Sequence, residues 1–178
     1  MQPIKIGILG FGTVGAGVYK VLARNREEIR RRAGCDIEVT MVCRRDVARA
    51  AQLVDKGVTV TADPMAIVHN PDIDIVIELM GGVTLAKDVV LNAIAAGKHV
   101  VTANKALLAL HGTEIFAAAG QQGVVVAFEA AVAGGIPIIK ALREGLSANR
   151  IEWVAGIING TTNFILSEMR DKGLDFAS

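Results

Sequence analysis

The stretch GILGFGTVG places Gly10, Gly12 and Gly15 between a short β-branched run and a segment with helical spacing. The run Ile4 to Leu9 predicts a strand, and Thr13 to Arg32 predicts a helix with its apolar residues on one side. In this context Gly10 makes a tight turn, Gly12 admits a pyrophosphate, and Gly15 lets helix and strand pack closely. Free N–H groups at the helix start would bind the phosphates. The alternative is that the glycines only turn the chain.

Apolar strands alternate with helical segments along the first 130 residues. We predict strands at 4–9, 37–43, 58–60, 73–79, 98–103 and 124–129, and helices at 13–32, 46–55, 63–69, 84–96 and 105–122. The predicted N-caps are Asp46, Asp63 and Thr84, and the predicted helix ends are Gly97 and Gly123. A hydrophobic content of 52% with only 4% aromatic residues is typical of parallel sheets covered on both faces. The fold class is thus α/β, a doubly wound parallel sheet of Rossmann type.

Such a sheet binds ligands beyond the carboxyl ends of its strands, and the glycine turn lies at that edge. The turn therefore predicts a dinucleotide-binding site. Its candidate cofactor-binding residues are Gly10, Phe11, Gly12, Thr13, Val14 and Gly15.

Charge and cysteine content exclude several classes of protein. Lys and Arg number 19 against 18 Asp and Glu, and the net charge of +1 predicts neither a nucleic-acid partner nor a membrane-binding surface. Cys35 and Cys43 lack CxxC spacing, so we expect neither a zinc site nor a disulfide framework. With no secretory signal and no membrane-spanning apolar stretch in view, the sequence predicts a cytoplasmic protein.

The end of the second predicted strand reads VCRRD and bears on the choice of cofactor. NAD-specific domains usually carry an acidic residue here, which binds the adenosine ribose. Arg44 and Arg45 stand at this place instead, and a guanidinium suits the 2′-phosphate of NADP. Asp46 is the competing acidic residue, but it suits the N-cap of the next helix. We therefore predict NADP with NAD as the alternative, unless both arginines are solvated loop residues.

Polar residues and glycines follow two later strands at the same predicted edge of the sheet. Gly81 follows the fourth strand, and Asn104 and Lys105 follow the fifth. Reducing a carbonyl requires a hydride on carbon and a proton on oxygen, and an ammonium within hydrogen-bond reach can supply that proton. Lys105 is therefore the catalytic candidate, and all three residues are candidate cofactor contacts. The alternative is a lysine that extends into solvent or pairs with Glu78 or Glu129.

Four longer motifs carry a family resemblance. They are GFGTVG, GKHVVTANKALLALHG, FEAAVAGGIPII and GIINGTTNFILSEM. In this order and spacing, over nearly the whole chain, they resemble the N-terminal part of homoserine dehydrogenases. The resemblance implies NAD(P)-dependent interconversion of L-aspartate 4-semialdehyde and L-homoserine, in the aspartate pathway toward threonine and methionine. It also places Lys105 in the active site and implies a homodimer or higher homo-oligomer.

The resemblance implies two further sites. A loop would bind a monovalent cation such as Na⁺, mainly through backbone carbonyls, and its residues are Glu129, Val132, Gly134 and Ile136. Substrate contacts would include Gly160 and Thr161. The stretch NGTTN also reads independently as a helix start, where Thr161 or Thr162 could cap and free N–H groups could receive a carboxylate. Ordinary capping is the alternative.

We expect two domains, a cofactor-binding domain over 1–133 and the start of an α+β substrate-binding and dimerisation domain over 134–178. In the second we predict helices at 136–146 and 163–172 and a strand at 150–158. In the family that the chain resembles, acidic substrate-binding residues and a second catalytic lysine follow later. We therefore expect the 178-residue chain to bind cofactor but to turn over poorly.

Two other functions stay open at this stage. A non-catalytic NAD(P)-sensing module would bind cofactor and make no use of Lys105. Another small-substrate oxidoreductase, such as aspartate-semialdehyde dehydrogenase, would need a nucleophilic cysteine near the nicotinamide. Neither Cys35 nor Cys43 lies beyond the later strands, which disfavours this second alternative.

Overall fold

Among residues 2–157 and 159–176, which the computed structural model describes, six parallel strands form one sheet. The strands are β1 (Ile4–Leu9), β2 (Ile37–Cys43), β3 (Thr59–Thr61), β4 (Ile75–Glu78), β5 (His99–Thr102) and β6 (Val126–Ala127). Their spatial order is β3-β2-β1-β4-β5-β6. This is the order of a doubly wound dinucleotide-binding sheet, in which the strand order reverses between β1 and β4. The predicted fold class is confirmed.

Helices connect the strands and follow the last of them. They are α1 (Thr13–Arg24), α2 (Arg26–Ala33), α3 (Val47–Ala51), α4 (Pro64–Val68), α5 (Thr84–Ala95), α6 (Lys105–Gln122), α7 (Ile138–Lys140) and α8 (Gly160–Lys172), with a 3₁₀ turn at Glu129–Ala131 and a π-helical turn at Ala141–Gly145. Asp46 and Asp63 cap α3 and α4 as predicted, since their carboxylates accept hydrogen bonds from backbone N–H groups of the first turn. Gly123 ends α6 in the left-handed conformation.

Hydrophobic side chains cover both faces of the sheet. Ile6 and Ile8 of β1 pack with Tyr19 of α1 on one face, whereas Leu9 packs in the opposite cluster with residues of α4, α5 and α6, among them Leu107. Because successive side chains of a strand point to opposite faces, this alternation requires both faces to be buried. The carboxyl ends of the strands stay open, and the candidate site lies there.

The structure corrects two predicted boundaries in the first part of the chain. The helix predicted over 13–32 breaks at Asn25, whose φ of −104° and ψ of 20° are not helical; Asn25 closes α1 and precedes α2. Asparagine favours helix ends because its side chain competes for nearby backbone groups. Val83, not Thr84, is the N-cap of α5, and its carbonyl accepts the first helical hydrogen bond, from Lys87 N.

The chain divides into two compact units, residues 1–139 and 140–178. In the second unit the strand predicted over 150–158 is wrong for residues 150–157, which have no regular secondary structure, and residue 158 lies outside the described residues. A strand needs a neighbour to pair its N–H and C=O groups, and none of the described residues pairs with this segment. The helix predicted over 136–146 is short here, with α7 followed by the π-helical turn.

A buried lysine ties the loop before β4 to β5. The Nζ atom of Lys98 donates hydrogen bonds to the carbonyl oxygens of Asn70 and Ile73, at 2.6 and 2.7 Å. Burial lowers the pKa of this ammonium, and the charge of Asp74 opposes the shift. The cation thus replaces water as the donor to two backbone carbonyls at the amino-terminal edge of the sheet.

Replacing Lys98 by methionine is expected to lower the free energy of unfolding by about 2 to 3 kcal/mol, because the carbonyl oxygens of Asn70 and Ile73 each lose a hydrogen bond from a charged donor. Urea denaturation followed by circular dichroism measures the change. Lys20→Met, at an exposed position of α1, is the matched control and should stay within about 0.5 kcal/mol of the wild type. Equal stabilities for the two variants would contradict a structural role for the Lys98 ammonium.

Candidate active site

The turns that follow β1 and β4 diverge around a cleft of about 750 Å³ at the carboxyl edge of the sheet. Gly10, Phe11 and Gly12 form one wall, and Leu79 to Gly81 form another. Since β1 and β4 are neighbours and the strand order reverses between them, this cleft lies at the topological switch point. Ligands of doubly wound sheets bind at that point.

The three glycines of the turn have different surroundings. Gly10 has a φ of +89°, and a Cβ atom there would lie 2.5 Å from the backbone of Leu79. At Gly15 a Cβ atom would overlap the carbonyl oxygen of Gly10. Gly12 has no atom within 4 Å of such a position, and no side chain caps the start of α1 there. Gly10 and Gly15 therefore serve close packing, and Gly12 keeps the helix start open to a ligand.

The two arginines after β2 differ in their contacts. The half-buried Arg44 donates a hydrogen bond from Nη1 to the carbonyl oxygen of Phe11, at 2.9 Å, and so braces the glycine turn. Arg45 is exposed and also lines the cleft. Asp46 accepts a hydrogen bond from Arg49 N at 3.0 Å, which is its capping bond. The contact between Arg44 and Phe11 has no signal in the sequence, because it joins residues 33 positions apart.

A second pocket, of about 320 Å³, continues the groove and shares Leu79 and Gly81 with the larger cleft. Its other lining residues are Val14, Ala103, Asn104, Lys105 and Ala106. Lys105 is the first residue of α6 and is exposed, and among the described residues its ammonium has no hydrogen bond or ion pair. The predicted alternatives, pairing with Glu78 or Glu129, are thus absent in the part of the chain that the structure describes.

The neighbours of Lys105 are tightly bonded. Asn104 caps α6, since its Oδ1 accepts from Leu107 N at 3.1 Å, and its Nδ2 donates to the carbonyl oxygen of Gly82 at 2.6 Å. Glu78 is fully buried at the end of β4, next to Thr102 of β5. The sequence predicts Glu78 only as a possible partner of Lys105, although a glutamate inside an apolar strand is a signal of a larger role.

The remaining predicted site residues belong to later segments of the chain. Glu129 begins the 3₁₀ turn, and its Oε1 accepts from Ile139 N at 2.9 Å; the other candidate cation residues, Val132, Gly134 and Ile136, follow in the same loop. Gly160 and Thr161 begin α8 in the second unit.

The predicted cap of α8 is wrong. Asn159, not Thr161 or Thr162, is the N-cap, and its Oδ1 accepts from Thr162 N at 2.8 Å. Asparagine at this position reaches the N3 amide with a short side chain, which is the usual capping geometry.

The described residues contain neither a cluster of metal ligands nor a membrane-spanning helix. No group of three or more His, Cys, Asp or Glu side chains is placed to hold a metal ion in residues 2–157 and 159–176. Within these same ranges, no helix is both long enough and apolar enough to span a bilayer.

The strand order, the glycine turn and the cleft at the switch point define a Rossmann-type dinucleotide-binding domain. A family model described as the NAD-binding domain of homoserine dehydrogenase matches residues 10–129, and a model described as homoserine dehydrogenase matches residues 137–178. The chain belongs to the homoserine dehydrogenase family.

Known proteins support this assignment. The chain is 64% identical over 177 residues to the homoserine dehydrogenase of Pseudomonas aeruginosa, and the aligned region covers 99% of this chain and 40% of that protein. Its structure resembles that of a homoserine dehydrogenase from Thiobacillus denitrificans, with a TM-score of 0.89 and 63% sequence identity. The match covers 98% of this chain and 40% of that one. A hyperthermophilic archaeal homoserine dehydrogenase in complex with NADPH matches with a TM-score of 0.80 and 25% sequence identity. This match covers 99% of this chain and 59% of that one. The chain spans about 40% of the length of the curated relatives it matches.

Proposed function

We propose that this chain provides the cofactor site and a catalytic lysine for NAD(P)-dependent interconversion of L-aspartate 4-semialdehyde and L-homoserine, a step in the synthesis of threonine and methionine. The observation that carries the proposal is the exposed ammonium of Lys105, which lines the same groove as the glycine turn. Gly12 leaves room for a pyrophosphate, and the helix start behind it offers N–H donors. The residues present therefore fit a dinucleotide.

The proposed chemistry divides the work between cofactor and protein. When bound, NADPH supplies the hydride that reaches the aldehyde carbon. Lys105 donates a hydrogen bond and then a proton to the carbonyl oxygen, which stabilises the negative charge that develops there. Asn104 and its bond to Gly82 hold the start of α6, and so hold the lysine at the rim of the groove. In the reverse direction Lys105, in its neutral form, accepts the hydroxyl proton of homoserine.

The experiment uses a chimera, because the chain spans about 40% of its relatives. The remaining C-terminal region of the Pseudomonas aeruginosa relative is joined after residue 178, and oxidation of NADPH is followed with aspartate semialdehyde. We expect steady-state turnover by the chimera and little or none by the 178-residue chain, which should still bind NADPH. A folded chimera that binds NADPH and does not turn over would contradict the proposed function.

We propose NADP as the preferred cofactor, with Arg45 binding the 2′-phosphate. Arg44 is engaged with Phe11, Asp46 is engaged in its cap, and Arg45 remains exposed on the cleft. Arg45→Ala is expected to weaken NADPH binding 10- to 100-fold and to change NADH binding less than about threefold, because only NADPH carries the phosphate. Fluorescence titration of the chain with both cofactors measures the two affinities.

Arg44→Ala is the companion variant for this test. This substitution should weaken the binding of NADPH and NADH to a similar degree, because it removes the support of the glycine turn at Phe11 rather than a phosphate contact. If Arg45→Ala weakens NADH binding as much as NADPH binding, Arg45 does not bind the 2′-phosphate.

We further propose three features of the complete protein. Carbonyl oxygens of the loop at Glu129, Val132, Gly134 and Ile136 are suitable ligands for a hard monovalent cation such as Na⁺. Backbone N–H groups at Gly160 and Thr161, at the start of α8, suit the substrate carboxylate. We also propose a cytoplasmic homo-oligomer, a homodimer or larger, that acts on small molecules.

A further inference from the structure

A buried carboxylate stands at the end of β4. Glu78 has no exposed surface, and it lies directly opposite Thr102 in the parallel pairing of β4 with β5. An ionised carboxylate is costly to bury unless hydrogen bonds and nearby dipoles replace its water. The mechanism proposed above makes no use of this group, so its retention in the interior calls for an explanation.

Each oxygen of Glu78 bonds to a different segment at the carboxyl edge of the sheet. Oε1 accepts a hydrogen bond from Met80 N at 2.8 Å, in the turn after β4. Oε2 accepts from the hydroxyl of Thr102 at 2.7 Å. The hydroxyl oxygen of Thr102 in turn accepts from Asn104 N at 3.0 Å. Because the hydroxyl proton is directed to Glu78, its oxygen lone pairs are free for the amide of Asn104.

Asn104 closes this network by its bond to the carbonyl oxygen of Gly82. Gly81 and Gly82 have φ values of +73° and +71°, and a Cβ atom at either position would have no neighbour within 4 Å. Met80 and Val83 on either side pack against the buried core, so the two glycines are the part of the turn that packing leaves free, and the bond from Asn104 to Gly82 holds that part. The Glu78 network joins the turn to the first residues of α6, where Lys105 begins the helix.

We propose that Glu78 is a positioning residue for the nicotinamide end of the groove. Through Met80 and Thr102 it sets the conformation of the turn at 80–82 and the direction in which α6, and with it Lys105, starts. The inference rests on the proposed dinucleotide function. It predicts that loss of the network disturbs the nicotinamide half of the cofactor and leaves the adenosine half, which lies toward Arg45, unaffected.

The test compares two ligands on the 178-residue chain. NADPH reaches both halves of the groove, whereas adenosine 2′,5′-bisphosphate carries the 2′-phosphate and lacks the nicotinamide. Thr102→Val removes the hydroxyl and keeps the side-chain shape, so we expect NADPH to bind about tenfold more weakly. The bisphosphate should bind within twofold of the wild-type affinity, which also verifies that the variant is folded. Thr102→Ser restores the hydroxyl and should recover NADPH affinity.

Glu78→Gln provides the second variant, since it keeps the size of the side chain and cannot accept from both donors. It should reproduce the selective loss of NADPH affinity and reduce the fluorescence enhancement of the bound nicotinamide. Equal weakening of both ligands, or an unchanged affinity for NADPH in both Thr102→Val and Glu78→Gln, would overturn the inference. A wild-type chain that binds the bisphosphate but not NADPH would also overturn the inference about Glu78. A wild-type chain that binds neither ligand would instead contradict the proposed cofactor.

Discussion

Replacing Lys105 by alanine is expected to lower the kcat of the chimera by 10²- to 10⁴-fold and to leave its affinity for NADPH within about twofold. The ammonium acts on the carbonyl oxygen of the substrate, and its removal takes away both the proton and the stabilisation of the developing charge. Among the described residues this amine makes no bond that the substitution would break, so the fold should be unaffected. Steady-state kinetics with aspartate semialdehyde measure kcat, and fluorescence titration measures NADPH affinity.

Two variants sharpen this prediction. Lys87→Ala removes a lysine of α5 whose Nζ pairs with Glu114 at 2.8 Å on the surface, and it should keep the kcat of the parent chimera. Lys105→Arg keeps the positive charge but cannot readily give up a proton, so its kcat should stay at least about tenfold below that of the parent. An unchanged kcat in Lys105→Ala would show that the lysine is not catalytic.

Replacing Gly15 by alanine is expected to lower the free energy of unfolding by about 3 kcal/mol or more. The added methyl group would overlap the carbonyl oxygen of Gly10, and a backbone atom in a tight turn cannot move aside without disturbing the turn. The gain of about 1 kcal/mol that alanine normally brings to a helix interior is smaller than this cost. Urea denaturation of the 178-residue chain measures the loss, and NADPH binding should weaken with it.

Gly17 of the same helix supplies a matched control. A Cβ atom there meets nothing within 4 Å, so Gly17→Ala should raise stability by about 0.5 to 1 kcal/mol through helix propensity alone. The two substitutions are chemically identical and lie two residues apart, yet their effects on the free energy of unfolding should have opposite signs. Similar stabilities for the two variants would contradict the close contact of α1 with the glycine turn.

Local pattern was sufficient for much of the first unit. Ile4–Leu9 and Ile37–Cys43 are strands over the predicted ranges, because long β-branched runs with buried faces have few alternatives. Asp46 and Asp63 begin their helices, and Gly123 ends its helix, where the sequence predicts, since each carries out its capping role with its own side chain or backbone. The last three strands are shorter than predicted, as with Val126–Ala127 against 124–129, because pairing with a neighbour sets strand length.

Features that depend on distant partners were not predictable. The bond between Arg44 and Phe11 and the network around Glu78 join segments that only the folded sheet brings together. The strand predicted from the sequence pattern is also wrong at 150–157. Apolar residues that favour strands, such as Trp153, lie there, but no described segment pairs with them. Candidate site residues could be named from motifs, but their separate tasks, such as those of Arg44 and Arg45, required the contacts.

The proposed reaction requires one groove to bring a nicotinamide ring and the Lys105 ammonium to the same substrate carbonyl. A crystal structure of the chain with bound NADPH shows whether it does. We expect the pyrophosphate at Gly12 and the start of α1, and a nicotinamide C4 atom within about 6 Å of Lys105 Nζ, a span that a carbonyl group can bridge. A ring bound outside the pocket of Leu79, Gly81 and Asn104, with Lys105 unable to reach C4 in any rotamer, would contradict it.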